Sequence, residues 1–409
     1  MTKGKLFGLP VERGRWIFVA LGFLANICMG SVYAYSVFRK PLETYWGVTA
    51  TQSGLPFMVF LAVFALGMAL AGSLVENWGP RKTGILGGIL VGVGWIAARF
   101  SPNIFVLTLL YGVVAGAGVG VAYGCPIAVA GRWFPDRRGL AVGLTLAGFG
   151  AAALIVAPIM NALIHRFGPL NTFAILGVAF LVIMVLAALP MRYPEVVKTK
   201  TSGKTEAIGL DRSQMVRTPT FWALWSSYTI GCLAGLMAIG IASPFGQEVV
   251  RLSSGLSAAA VSVFAVFNGV GRPLFGWLTD RLAPRRAGLL SFGLILLASL
   301  VLYFGGRHPA FYFLGFCLLW LNLGGWLAIA PTSTATFFGM KHYGKNYGLV
   351  FTAYGAGAIL GNVLSGLIRD LTGSYLSVFP WVMALSLAGG IVVFLGLRPP
   401  KEPVFAGRK

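Results

Sequence analysis

The chain has 409 residues, of which 57% are hydrophobic and 11% charged, against roughly 25% charged in ordinary soluble domains. A soluble globule of mean hydropathy +0.81 would aggregate, so the composition excludes one and points to a polytopic membrane protein whose apolar side chains face lipid. The formal net charge of +21 sits in short loops between apolar runs, so membrane topology accounts for it and no nucleic-acid partner is expected.

The N-terminal stretch "MTKGKLFGLPVERGRW" is basic. It leads into an apolar run too long for a signal-peptide core, so no cleavable targeting segment is expected. A helix crosses a bilayer with about 20 apolar residues. Twelve such spans follow in order: 16–38, 52–75, 83–99, 103–131, 139–163, 169–190, 219–243, 257–279, 286–305, 309–336, 347–368 and 375–397. With the N-terminus inside, 24 Lys and Arg fall on the cytoplasmic side. Seven (Arg39, Lys40, Arg99, Arg166, Arg251, Arg307 and Arg369) fall outside. That asymmetry predicts an N-in, C-in topology in the cell membrane. Cys28, Cys125, Cys232 and Cys317 all lie in apolar runs without metal-ligand spacing and read as buried free thiols.

The polar stretch 191–218 is a cytoplasmic linker between two groups of six spans, 1–190 and 219–409. The halves repeat: "GSLVENWGPRKTG" (72–84) and "GWLTDRLAPRRAG" (276–288) align 204 residues apart. Glu76 matches Asp280, and Arg81-Lys82 matches Arg285-Arg286. "RWFPDRRGLAVG" (132–143) has a weaker echo in "FFGMKHYGKNYGLVF" (337–351). Such a repeat predicts an all-α transporter of two pseudo-symmetric six-helix bundles around a central site. The acid at a helix end with arginines across the turn reads as a latch that breaks on reorientation, formed by Glu76 with Arg81 and Asp280 with Arg285. Positive-inside topology alone also accounts for single loop charges.

These segments resemble the major facilitator superfamily, whose signature between the second and third helices has the Gly-x-x-x-acid-x-x-Gly-x-Arg-Lys pattern. "RWFPDRRGLAVGLTLAGFG", "RTPTFWALW" (217–225) and "NGVGRPLFGWLTD" are similar to the group of monocarboxylate transporters and oxalate:formate antiporters. The last of these resembles that group's eighth helix, including its functional arginine, here Arg272. The resemblance covers nearly the whole chain and implies a carrier, not an enzyme, working without metal or cofactor.

Arg272 is the one formal charge expected deep in the membrane, since all eleven Asp and Glu fall in loops or near predicted span ends. It lies eight residues before Asp280, about 12 Å along a helix and near the middle of a roughly 30 Å core. A charge there costs about 2.5–3.5 kcal/mol on insertion scales. Asn268, Gly269, Phe275 and Gly276 share its predicted face, which suits a packed interior or cavity. The expected counter-ion is the cargo: a guanidinium fork matches a carboxylate bidentately. Tyr123 and Tyr354 reach the same predicted depth, with Phe149 and Tyr33 as outer neighbours. Their hydroxyls can donate to the substrate and their faces can enclose it; helix packing is the alternative role for such aromatics.

Alignment by resemblance puts Tyr354 where the oxalate:formate antiporter has a second cation, a lysine. One buried cation balances one carboxylate, so the expected cargo is a small monocarboxylate such as L-lactate or pyruvate. Monocarboxylate transporters of animals have an aspartate where this chain has Asn268, and a lysine in the first helix that is missing here. Proton symport therefore depends on the substrate carboxylate or a group such as Glu248, and carboxylate exchange stays open beside it. The glycines of 112–124 and 355–366 allow either sliding helices or tight static packing. A membrane enzyme would want a metal-ligand set or paired carboxylates within the spans, and none is visible.

Overall fold

The computed structural model describes residues 5–194, 209–339 and 341–400. Apart from a two-stranded hairpin, Lys5–Leu6 with Leu9–Pro10, the architecture is helical. The main helices are α1 (Trp16–Gly30), α2 (Ser36–Trp46), α3 (Ala50–Ala98), α4 (Ile104–Trp133), α5 (Arg138–Phe167) and α6 (Pro169–Ala188). They continue as α7 (Pro219–Glu248), α8 (Ser254–Gly305), α9 (Pro309–Phe338), α10 (Tyr343–Thr372) and α11 (Tyr375–Gly396). Among the described residues, ten stretches are long and apolar enough to cross a membrane. Large apolar side chains such as Leu70, Phe304 and Leu371 are strongly exposed, the surface a bilayer solvates.

The longest helices replace two predicted loops. A straight helix of the 49 residues of α3 would run about 74 Å, more than twice the hydrocarbon thickness. Instead α3 kinks at Gly79 (φ 77°, ψ 166°) and α8 at Ala283 (φ 67°, ψ 157°). Each kink residue precedes a proline, Pro80 or Pro284. Proline drives its predecessor off helical ψ and starts the next helix well. Thr83 Oγ1 donates to the carbonyl of Leu74 at 3.2 Å across the first kink. Spans two and three, and eight and nine, are thus arms of kinked helices.

The first span also departs from expectation. α1 gives way to a 3₁₀ turn, Ser31–Ala34, and the chain continues as α2 to Trp46. Arg39 and Lys40 therefore stand on a helix, not in a loop. Arg39 is 1% exposed. Its Nε donates to Ser53 Oγ at 3.0 Å, and its terminal nitrogen to the carbonyl of Ala50. Ser53 Oγ donates in turn to Glu43 at 2.7 Å, and Lys40 pairs with Glu43 at 2.7 Å. Arg39, not Arg272, is thus the fully buried arginine among the described residues.

The chain divides into two compact units: residues 1–198 with 254–266, and 199–253 with 267–409. The start of α8 belongs with the first unit, where Ser262 Oγ donates to Ala153 O at 3.3 Å. The predicted linker, 191–218, has structure at both described ends. Trp133 Nε1 donates to Arg192 O at 2.8 Å, and Arg132 lies 3.7 Å over the Tyr193 ring. Gly209 bridges Gly339, and Asp211 caps the short helix Arg212–Val216. Gln214's backbone N–H, foremost, and Ser213's hydroxyl hold the Asp211 carboxyl below its ordinary range.

Within each unit, helices meet backbone to backbone at glycines. A Cβ on Gly120 of α4 would lie 2.8 Å from Gly67 Cα on α3, and one on Gly116 would lie 2.8 Å from Phe60 O. The second unit repeats the contact 204 residues on: a Cβ on Gly271 of α8 would strike Leu321 O of α9, and one on Gly324 would strike Asn268 O. In the first unit, Arg15 also grips Asp136 with two bonds, 2.6 and 2.8 Å, joining the approach to α1 with the α4–α5 connection. Those bonds, above the other influences, hold the Asp136 carboxyl below its ordinary range.

The two kinks should differ in strain. Ala283 occupies a region that is almost glycine-only, at about 1–3 kcal/mol, whereas a Cβ on Gly79 would meet nothing within 4 Å. Ala283→Gly is expected to raise the melting temperature, and Gly79→Ala to lower it by a comparable amount, each by about 1 kcal/mol. Thermal denaturation of the detergent-purified pair checks this.

Candidate substrate-binding site

Arg272 sits in α8 directly after the crossing glycine, Gly271. Its own backbone nitrogen would be 3.2 Å from a Cβ on Gly324, so α8 and α9 are in close contact at this level. The predicted common face divides. Asn268 and Phe275 are fully buried and turn toward α9: Asn268 Nδ2 donates to Trp320 O at 3.2 Å, and the Phe275 ring would be 2.6 Å from a Cβ on Gly325. Arg272, Gly269 and Gly276 are half-buried. A Cβ on Gly269 would meet nothing within 4 Å, and one on Gly276 only Ala328 at 3.9 Å. Open space therefore flanks α8 at Gly269 and Gly276, about one turn to either side of Arg272. Pro273 breaks the backbone ladder next to it.

Asn268 faces α9 in this geometry. It bonds the α9 backbone, and its buried Oδ1 has no hydrogen-bond partner among the described residues.

In the first unit the structure brings together three of the residues singled out by sequence. Gly30 lets α1 cross α5, since a Cβ there would be 2.7 Å from Phe149 Cα. Tyr33, in the following 3₁₀ turn, then meets Phe149 edge-on at 5.1 Å. Tyr123 meets Phe149 edge-on at 5.5 Å. Phe64 completes the group, 5.2 Å from Tyr123 and 5.9 Å from Phe149. Phe64 escaped the sequence reading, yet the repeat marks it: it stands 204 residues before Asn268. Tyr123, alone of the three predicted residues, is half-buried; Tyr33 and Phe149 are buried.

Tyr354 is 1% exposed on α10. It stacks on Phe351 at 4.9 Å, Phe351 meets Tyr347 edge-on at 5.8 Å, and Tyr347 stacks on Tyr343 at 5.8 Å. These residues recur at helical spacing and make one aromatic face. Gly357 and Gly361 press α10 onto α7, with Cβ positions 2.7 Å from Thr229 O and 2.6 Å from Leu233 O. The glycines of α4 and α10 both serve tight packing.

The other residues read from sequence stand apart. Glu248 is held by Arg369 through two hydrogen bonds of 3.1 Å. Asp280 is exposed and makes no ion pair among the described residues. Arg285 lies 4.4 Å over the Phe394 ring, and Arg81 is exposed. The Glu76 side chain lies outside the described residues. Among the described residues, no three His, Cys, Asp or Glu gather as a metal site, and all four cysteines are buried and free of disulfides.

Long apolar helices, an internal repeat and a polar group set beside open space within one unit define a helical membrane carrier. The model of the Major Facilitator Superfamily matches residues 19–332 and 251–409, and the chain belongs to that superfamily. It is a multi-pass transporter of the cell membrane, not an enzyme. It is 28% identical to the oxalate:formate antiporter of Oxalobacter formigenes over 95% of this chain and 94% of the other. It is 27% identical to monocarboxylate transporter 12 of Homo sapiens over 89% of this chain and 77% of the other. Among solved structures, a bacterial homologue of the human lysosomal transporter Spinster matches in fold, inward-facing and unoccupied. The TM-score is 0.72 at 17% identity, covering 95% of this chain and 98% of the other.

Asn268→Ala should therefore lower the melting temperature through the lost bond to α9, by about 1 kcal/mol, with KM for the transported anion within about twofold of wild type. Paired melting curves and uptake kinetics check the split.

Proposed function

We propose that this carrier moves small monocarboxylates such as L-lactate or pyruvate across the cell membrane by alternating access, coupled to protons. The observation that carries the reading is the half-buried Arg272 with open space at Gly269 and Gly276, about one turn to either side of it on α8. A carboxylate entering that space gains two charge-assisted hydrogen bonds from a planar fork. One cation at this level of α8 suits one negative charge. A dicarboxylate would bring a second charge into low dielectric, where an uncompensated charge is costly. The relatives support the class of cargo: one is named a monocarboxylate transporter and another an oxalate:formate antiporter.

The aromatic group of Tyr33, Tyr123 and Phe149 is assigned to the organic body of the same anion, and Tyr354 to a hydroxyl contact. The matched depth of Tyr123 and Tyr354 along the sequence, and the contacts of Tyr33 and Tyr123 with Phe149, support this assignment. In the same reading the arms of α3 and α8 are separate crossings, twelve in all, with both termini inside. The repeated signatures, Glu76 with Arg81 and Asp280 with Arg285, supply the latch that opens as the carrier reorients.

Carboxylate exchange is the second reading. The antiporter relative favours it. Uptake of labelled lactate into proteoliposomes separates the two: an inward pH gradient alone drives symport, whereas exchange requires a carboxylate inside.

Arg272→Lys should keep the charge but lose the fork, lowering kcat/KM about tenfold, the equivalent of one charge-assisted bond. Arg272→Ala should remove transport, and normal uptake by correctly folded Arg272→Ala protein rejects the assignment. Tyr354→Lys should shift competition toward dicarboxylates such as oxalate. An unchanged inhibitor ranking counts against Tyr354 as a selectivity position.

A further inference from the structure

We propose a second anion site, at the end of the second unit where α7 stops, α9 starts and α10 stops, which gathers small carboxylates before transport. A cavity of about 380 Å³ lies there, lined by Glu248, Arg251, Arg307, Gly373 and Ser374 among others. Its charge is uneven. Among the described residues Glu248 is the only carboxylate in its lining, and Arg369 bonds both of that carboxylate's oxygens. Arg369 also lies 3.8 Å from Asp370. Arg251 and Arg307 make no ion pair among the described residues. The lining therefore keeps two guanidinium groups that the local acids do not neutralise.

Arg251 is fixed at the rim in an unusual way. Its φ is +67°, a region that costs a non-glycine residue about 1 kcal/mol or more. The turn that holds it is closed by Val249 N–H to Phe245 O at 2.9 Å and Leu252 N–H to Gly246 O at 2.9 Å. Glycine would adopt this turn without strain. The turn instead carries a cation, exposed beside a polar cavity shared with Arg307.

Small monoanions fit this chemistry. Two exposed arginines in a concavity raise the local concentration of anions and speed their capture, most strongly at low ionic strength. With both termini inside, this end of the unit faces outward, so the site meets external substrate first. The assignment of direction and cargo rests on the transport reading above; anion binding does not.

The test uses the full-length purified protein and ¹³C-acetate as probe, read by NMR line broadening. Three proteins are compared: wild type, Arg272→Gln, and the double variant Arg251→Gln with Arg307→Gln. Salt-sensitive broadening should persist in Arg272→Gln and disappear in the double variant. Broadening retained in the double variant, or found in none of the three, overturns the site. In proteoliposomes at low salt, the double variant should raise KM about fivefold with kcat within about twofold, the gap closing at high salt. The double Lys variant should behave as wild type. An unchanged KM at low salt overturns the gathering role. If wild type moves no carboxylate at all, the transport reading fails and the acetate experiment alone decides the site.

Discussion

Helices in hydrocarbon gain little from burying apolar side chains against each other, because lipid is as apolar as leucine. Close backbone packing at small residues has to hold them together, and the polar and aromatic groups of this carrier depend on it. Gly120 against Gly67 brings Tyr123 to Phe64. Gly30 against Phe149 brings Tyr33 into the same cluster. Gly271 against Leu321, with Gly324 against Asn268, sets the flank of α8 on which Arg272 lies. A side chain at any of these glycines would part the helices and displace the groups one turn away.

The internal repeat keeps this scaffold and varies what hangs on it. Gly67 and Gly120 recur as Gly271 and Gly324. Between them the units diverge: where the first has Phe64 and Met68, the second has Asn268 and Arg272. The first copy uses the position of Phe64 for an aromatic cluster. The second copy uses the equivalent position for a hydrogen bond to Trp320 O and puts its cation one turn further on. The kinks diverge as well. Both precede proline and both have positive φ, but glycine accommodates the first and alanine is strained in the second.

Arg39 and Arg272 sit in different surroundings. Arg39 is almost wholly enclosed, and Ser53, the Ala50 carbonyl and the neighbouring Glu43 surround it with acceptors. Such a network offsets desolvation and ties α2 to the start of α3. Arg272 is only half-buried, and the Cβ positions of Gly269 and Gly276, about one turn to either side, meet little or nothing.

Much of this was legible in the chain itself. Apolar runs, basic loops, the repeated signatures and the run around Arg272 are local patterns, and solvation in lipid reads local patterns directly; they set the helical class, the superfamily and the residue of most chemical interest. Tyr123 was placed by counting residues along its helix, and Tyr33 and Phe149, named as its outer neighbours, meet it in one aromatic cluster. The tertiary structure alone decided which neighbour each face meets. It turned Asn268 into α9, added Phe64 to the cluster, buried Arg39, joined predicted spans through kinks at Gly79 and Ala283, and gave Glu248 to Arg369. Each of these depends on a contact between residues distant in sequence or on a backbone angle, and periodicity along a single helix carries no information about the helix lying opposite.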